Sequence, residues 1–87
     1  AQINTNSLVG ENCIINSKSL IEHDTIIGDN CHIAPGAVLN GNVKIGNQTF
    51  IGSGAIIHHS VSIGHNCIIG AGAVIKNNIK SNSMVKN

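Results

Sequence analysis

The chain has 87 residues, five Lys, no Arg, four acidic residues and a formal charge of +1. Near-neutrality and a single aromatic, Phe50, exclude the basic stripe and stacking platform of a nucleic-acid binder. A hydrophobic content of 41 % is too high for a disordered chain, and no apolar run approaches the roughly 18 residues that span a bilayer. No signal-peptide pattern opens the chain, so a cytoplasmic setting with no membrane partner is expected. Ala1 in place of Met fits a trimmed fragment.

After a lead-in at residues 1–2, a period of six governs the chain. Ile3, Val9, Ile15, Ile21, Ile27, Ile33, Leu39, Ile45, Ile51, Ile57, Ile63, Ile69 and Ile75 follow one another at that spacing, all aliphatic. An α-helix would need spacings near 3.6. Four places after each stands a smaller residue, from Ser7, Cys13, Ser19 and Thr25 through to Ala73 and finally Ile79. The place after the aliphatic is often glycine, as at Gly10, Gly28, Gly46, Gly52, Gly64 and Gly70. Each unit therefore reads as a short strand with the small residue in, the next out and the aliphatic in, as in Thr25-Ile26-Ile27. Gly, Asn and Asp then turn the corner, because they tolerate positive φ. Three sides close a triangular coil of 18 residues. Residues 3–80 are expected to form about four such coils, with parallel strands spaced about 4.8 Å apart. Residues 81–87 are expected to form a polar tail. Cys13, Cys31 and Cys67 are an odd count at the small interior place. They predict buried thiols in a reducing compartment rather than a disulfide framework.

Stepping by 18 reads the outer faces. The first shows Leu20, Val38, Ile56 and Val74; the second Ile14, His32, Phe50 and Ile68; the third Leu8, Ile26, Lys44, Ser62 and Lys80. Two faces are too apolar for a soluble monomer. They differ, so a heterologous contact closing into a ring is expected, specifically a homotrimer joining the first face of one subunit to the second face of the next.

His23 falls in a corner between Glu22 and Asp24, with Gly41 one coil above and His59 above that. Glycine is expected to leave the space over His23 open. The corner borders the all-aliphatic face, and the trimer would set it at the mouth of an intersubunit cleft with His32 of a neighbour. His58, His59 and His65 read as solvated turn residues, although His59 is also a candidate substrate contact by its column. Lys76, Lys80 and Lys86 read as solvated lysines that an anionic cofactor tail could meet.

The period-six pattern resembles the hexapeptide-repeat left-handed β-helix over nearly the whole chain. The fold class is thus all-β, a left-handed parallel β-helix. The left hand comes from the resemblance, since the general rule for parallel crossovers gives the right hand. Glu22-His23-Asp24, with Cys31-His32-Ile33-Ala34-Pro35-Gly36-Ala37 and Gly41-Asn42-Val43-Lys44-Ile45-Gly46, is similar to the C-terminal domain of the sugar O-acyltransferase family. That family holds sialic acid acetyltransferases and bacterial nucleotide-aminosugar N-acetyltransferases. The resemblance implies acetyl transfer from acetyl-CoA to an amino or hydroxyl group of a sugar or nucleotide sugar, in bacterial polysaccharide biosynthesis. It implies that His23 is the general base, that Asp24 orients its imidazole, and that His32 approaches the acetyl carbonyl. It implies that the amide at Gly41 faces the acetyl group, and that Asn16 and Glu22 lie near the substrates. Asn16 falls nearer the three-fold axis by column. Direct transfer follows, since no outward Cys or Ser is paired with the base. The family's N-terminal nucleotide-sugar-binding domain and its C-terminal Gly-x-Pro-Ala-Lys-like segment are missing from these 87 residues.

Two other classes stay open at this point. γ-Type carbonic anhydrases share the fold and hold a metal with three His, two of them five residues apart. Here His58 and His59 precede His65 by seven and six, and His23 precedes His32 by nine, so no metal is expected. A catalytically inactive repeat module is the second, because a solenoid needs no active site.

Overall fold

Every interior aliphatic from Ile21 to Ile75 is no more than 4 % exposed, and together they form one continuous core. The computed structural model describes residues 2–86; Ala1 of the expected lead-in and Asn87 of the expected tail lie outside the described residues. Among the described residues fourteen two-residue strands run from Gln2–Ile3 to Met84–Val85, all paired in parallel. They stack into three sheets. Gln2–Ile3, Leu20–Ile21, Val38–Leu39, Ile56–Ile57 and Val74–Ile75 make the first face. Ile14–Ile15, His32–Ile33, Phe50–Ile51, Ile68–Ile69 and Met84–Val85 make the second, and Leu8–Val9, Ile26–Ile27, Lys44–Ile45 and Ser62–Ile63 the third. Partners lie 18 residues apart up to Ile75, as in Leu20↔Val38 and His32↔Phe50.

The solenoid continues past residue 80, making about five coils rather than about four. Ile79 bridges Ile63, and Met84–Val85 pairs with Ile68–Ile69, so the last coil advances by 16 residues. A corner shortened by two residues lies between Ile75 and Ile79. Ile79 therefore takes an interior aliphatic place, not a small one. Asn78 replaces Lys80 beside Ser62, where its Oδ1 accepts the Ser62 N–H at 2.8 Å. Of the expected polar tail, residues 81–86 belong to the last coil.

The corners also divide their work differently. The left-handed conformation falls on every sixth residue from Asn6 to Gly72, Asn more often than any other residue, with φ of 62° at Asn6 and 59° at both Asp24 and Asn42. The glycines directly after the aliphatics are not among these. They serve close approach: a Cβ on Gly46 would sit 2.6 Å from the carbonyl carbon of Gly64, and one on Gly52 2.6 Å from the Ala71 nitrogen.

The small interior column explains the cysteines. Cys13 Sγ donates to Gly28 O at 3.0 Å, Cys31 Sγ to Gly46 O at 3.0 Å, and Cys67 Sγ to Lys80 O at 3.1 Å. Thr49 Oγ1 does the same to Gly64 O at 2.8 Å. The column also holds Ala37, Val43, Ala55, Val61 and Ala73, so it takes small side chains with or without a donor. All three thiols are free. Burial pushes the Cys31 thiol up from its ordinary value, lowering its thiolate fraction near neutral pH. Cys31 and Cys67 are buried and Cys13 is half-buried. Iodoacetamide on the native protein should therefore modify Cys13 first and leave Cys31 and Cys67 protected until unfolding. Peptide mass spectrometry over a time course reads this directly.

Candidate active site

The first and third faces meet at the corner carrying residues 4–7, 22–25, 40–43 and 58–61. His23 and Asp24 project from it, with side chains 60 % and 53 % exposed. Asp24 occupies the left-handed corner place where the coils on either side carry Asn6 and Asn42, and an Asp there supplies a carboxylate instead of an amide. Its Oδ2 lies 3.1 Å from His23 Nδ1. A carboxylate only accepts, so Nδ1 carries the proton and neutral His23 presents a lone pair at Nε2.

The space above His23 is not open. A Cβ on Gly41 would lie 3.0 Å from both Cε1 and Nε2 of His23 and 3.3 Å from Cδ2 of His59. Glycine is a seat for the two imidazoles, which cover it so that Gly41 is buried. His59 Nδ1 is 2.9 Å from Ser60 Oγ, which also accepts Asn42 Nδ2 at 3.1 Å. The Ser60 hydroxyl proton is thus left for His59. This hydroxyl–imidazole pair is a feature the sequence reading missed. Among the described residues no hydroxyl or thiol bonds to His23.

Glu22 turns away from this group. Its Oε1 accepts Asn4 Nδ2 at 3.0 Å, and its carbonyl accepts Ser7 Oγ at 2.7 Å, so it braces the coil below.

His65 is structural rather than a solvated turn residue. At its corner, between the third and second faces, each backbone N–H two places after the aliphatic is capped by the side chain one coil on. Glu11 N–H donates to Asp29 Oδ1, Asp29 N–H to Asn47 Oδ1, and His65 N–H to Ser81 Oγ, all at 2.8 Å. Asn47 N–H donates to His65 Nδ1 at 2.7 Å. The His23 corner lacks such a ladder. Among the described residues the N–H groups of His23, Gly41 and His59 have no acceptor; Gly41 is buried beneath the two imidazoles, so a ligand reaches its N–H only when they swing aside.

His32 points outward from the second face, half-buried, with Phe50 edge-on at 5.1 Å and 68° between rings. Its Nε2 lies 2.8 Å from Asn16 Nδ2. Within one chain the structure does not bring His32 to His23, because the His23 corner lies opposite the second face. Asn16 goes with His32. The pairing of Ile14 with His32 could have shown this, since Asn16 is two residues past Ile14 and shares its side of the strand. Among the described residues no three His, Cys, Asp or Glu gather as a metal site. Lys76, Lys80 and Lys86 are all exposed.

The bacterial transferase hexapeptide family (six repeats) matches residues 6–41 and 42–77. The chain belongs to that family. Its hexapeptide repeats give the parallel β-helix its left hand. Among solved structures, PerB from Caulobacter crescentus in complex with CoA and GDP-perosamine is 34 % identical with a TM-score of 0.96. The match covers 98 % of this chain and 41 % of PerB. The acetyltransferase domain of PglB from Neisseria gonorrhoeae, with acetyl coenzyme A, is 25 % identical with a TM-score of 0.78, covering 99 % of this chain and 51 % of that one. WeeI from Acinetobacter baumannii is 26 % identical with a TM-score of 0.75, covering 98 % and 54 %. This chain thus spans about two fifths to about half of each relative. No curated protein matches it in sequence.

Two substitutions separate the seat from the scaffold. Gly41→Ala meets the ends of two surface side chains that can swing aside, so stability should stay within about 1 kcal/mol. Gly52→Ala meets backbone of the next coil and should cost about 1–3 kcal/mol. Urea denaturation of both variants reads the difference. At the other corner, His65→Ala should cost about 0.5–1.5 kcal/mol by stripping the acceptor from Asn47 N–H. His65→Asn should restore it, as Asn47 already plays that part for Asp29.

Proposed function

We propose that this chain is the catalytic β-helix of an acetyl-CoA-dependent acetyltransferase acting on an amino or hydroxyl group of a sugar or nucleotide sugar. The observation that carries the reading is the His23–Asp24 pair, whose geometry leaves a lone pair at Nε2, with the ring lying over Gly41. The likeness to PerB, solved with CoA and GDP-perosamine, supports the substrate class. In the mechanism, Nε2 of neutral His23 takes the acceptor's proton as its nitrogen or oxygen attacks the thioester carbonyl. Asp24 holds the ring and stabilises the imidazolium that forms. The Gly41 N–H and His32 meet the oxyanion. The tetrahedral intermediate then collapses, expelling the CoA thiolate, which takes up a proton. Transfer is direct, as no hydroxyl or thiol among the described residues is bonded to His23.

The site is completed by a second copy in a homotrimer. Leu20, Val38, Ile56 and Val74 on one face and Ile14, Phe50, Ile68 and Met84 on the other are apolar, with Ile14 53 %, Val74 50 % and Met84 62 % exposed. The corner between these faces carries only small side chains and Pro35 over Ala34–Ala37, Gly52–Ala55 and Gly70–Ala73. It is slim enough for three copies to meet on an axis. Packing the first face on a neighbour's second face sets His23 of one subunit toward His32 of the next. The setting is cytoplasmic, where acetyl-CoA is at hand and three free thiols persist. The role is in bacterial polysaccharide biosynthesis.

Calorimetry with acetyl-CoA, turnover with an aminosugar nucleotide and light scattering test this together. The protein should scatter as a trimer and bind acetyl-CoA. His23→Ala should keep that binding within a few-fold and lose about 10²–10⁴ in kcat. A wild-type protein that neither binds nor turns over acetyl-CoA overturns the reading.

A further inference from the structure

Asn16 reaches two acceptors with one amide nitrogen. Its Nδ2 lies 2.8 Å from His32 Nε2 and 3.3 Å from the Ile33 carbonyl oxygen. The carbonyl fixes the amide's orientation, since an oxygen turned toward Ile33 O would meet acceptor with acceptor. Both amide hydrogens are then committed, one to each partner. A nitrogen that receives an N–H bond holds a lone pair, so the remaining proton of neutral His32 sits on Nδ1. Among the described residues Nδ1 has no partner. The edge contact of Phe50 limits rotation of the ring. Asn16 is itself anchored, as its own N–H also donates to Ile33 O at 2.9 Å and its carbonyl accepts both the N–H and the hydroxyl of Ser19.

We infer that Asn16 is a positioning residue that locks His32 in the Nδ1–H tautomer and so makes it a hydrogen-bond donor toward the acetyl carbonyl rather than a second base. The inference rests on the acyl-transfer reading for its purpose, though not for the tautomer itself. It also reassigns Asn16, which acts through His32 and not by touching substrate. The two imidazoles then have opposite protonation patterns. His23 donates its Nδ1–H to the Asp24 carboxylate and offers a lone pair at Nε2, while His32 accepts at Nε2 and offers its Nδ1–H.

The test is long-range ¹⁵N–¹H correlation spectroscopy on protein labelled at histidine nitrogens, with His32 assigned by its loss in His32→Gln. Wild-type His32 should show the Nδ1–H pattern. Asn16→Asp replaces the donor by an acceptor and should move the proton to Nε2. Asn16→Ala should release the lock and let the Nε2–H form appear. Thermal midpoints confirm that each variant is folded. With acetyl-CoA and an aminosugar nucleotide, Asn16→Asp should lower kcat about a hundredfold, as for a lost oxyanion donor, with the acetyl-CoA KM nearly unchanged. An Nε2–H pattern in the wild type, or an unchanged Nδ1–H pattern in Asn16→Ala, overturns the inference. Wild-type protein that shows Nδ1–H but no acetyl transfer overturns the functional reading and leaves the tautomer lock standing.

Discussion

Each side of the prism is only two residues of strand, so the stack of inward aliphatics carries nearly all the information that holds it. Ile21, Ile33, Leu39, Ile51, Ile57 and Ile69 are fully enclosed, and each rests on the coil before and supports the coil after. No coil can bury its own interior, which is the general condition of a solenoid. Period-two alternation then makes the outward residue an immediate neighbour of the buried one. A slip of one residue would put His32 inside and Ile33 outside. Function in this fold is therefore written in columns, and the columns are held in register by the core. The shortened corner between Ile75 and Ile79 respects the same constraint. It removes two residues from a turn and still delivers an aliphatic to the interior.

The same repeat place serves opposite ends at two corners. Two positions after the aliphatic, the backbone turns an N–H outward. Where Asp29, Asn47, His65 and Ser81 stand in column, that N–H is capped from the next coil and the corner is a scaffold. Where His23, Gly41 and His59 stand, the side chains offer no cap and the N–H groups stay free. A buried unpaired N–H is costly, and water or a ligand reaches that of Gly41 only when the His23 and His59 imidazoles covering it swing aside. The difference is one of side-chain chemistry alone, since the backbone path repeats. Among the described residues the Ser17, Ser53 and Ala71 N–H groups at the corner between the second and first faces have no acceptor either, so what sets the candidate site apart is the His23–Asp24 pair.

Much of this was legible because a period of six leaves little freedom. The interior column, the three faces and the His23–Asp24–Gly41–His59 corner all follow from counting in steps of 18. What failed to read has a local physical cause. Counting on from Ile75 missed the shortened corner, because Asn77 and Asn78 look like ordinary turn residues and the new phase shows in the pairing of Ile79 with Ile63 and of Met84–Val85 with Ile68–Ile69. Gly, Asn and Asp take the positive φ at most corners as expected, with Lys18, Gln48 and Ser60 at others, but the glycines after the aliphatics serve instead to admit the next coil's backbone. The vacancy expected over His23 was filled by His23 itself, since an exposed imidazole settles onto any bare backbone within its reach. The Asn16–His32 contact went unread because its members stand 16 apart: the 18-residue step pairs His32 with Ile14, and Asn16 lies two residues further on the same side of the strand.

The two imidazoles show how a fold with so regular a backbone can still separate two chemical roles. His23 lies on a corner, where the next residue in sequence is free to fold back, and its partner Asp24 is adjacent in the chain. His32 lies mid-face, where sequence neighbours point inward and the nearest polar side chain must come from another coil. A corner histidine thus pairs readily with an adjacent carboxylate and exposes a lone pair. A face histidine pairs with what the previous coil supplies, here an amide donor, and exposes a proton. In the proposed mechanism one group removes a proton while the other stabilises developing negative charge, so the two must not compete for the same proton. Placing one at a corner and the other on the opposite face keeps them apart within a chain. Only the proposed packing of two copies brings the lone pair of one to the N–H of the other.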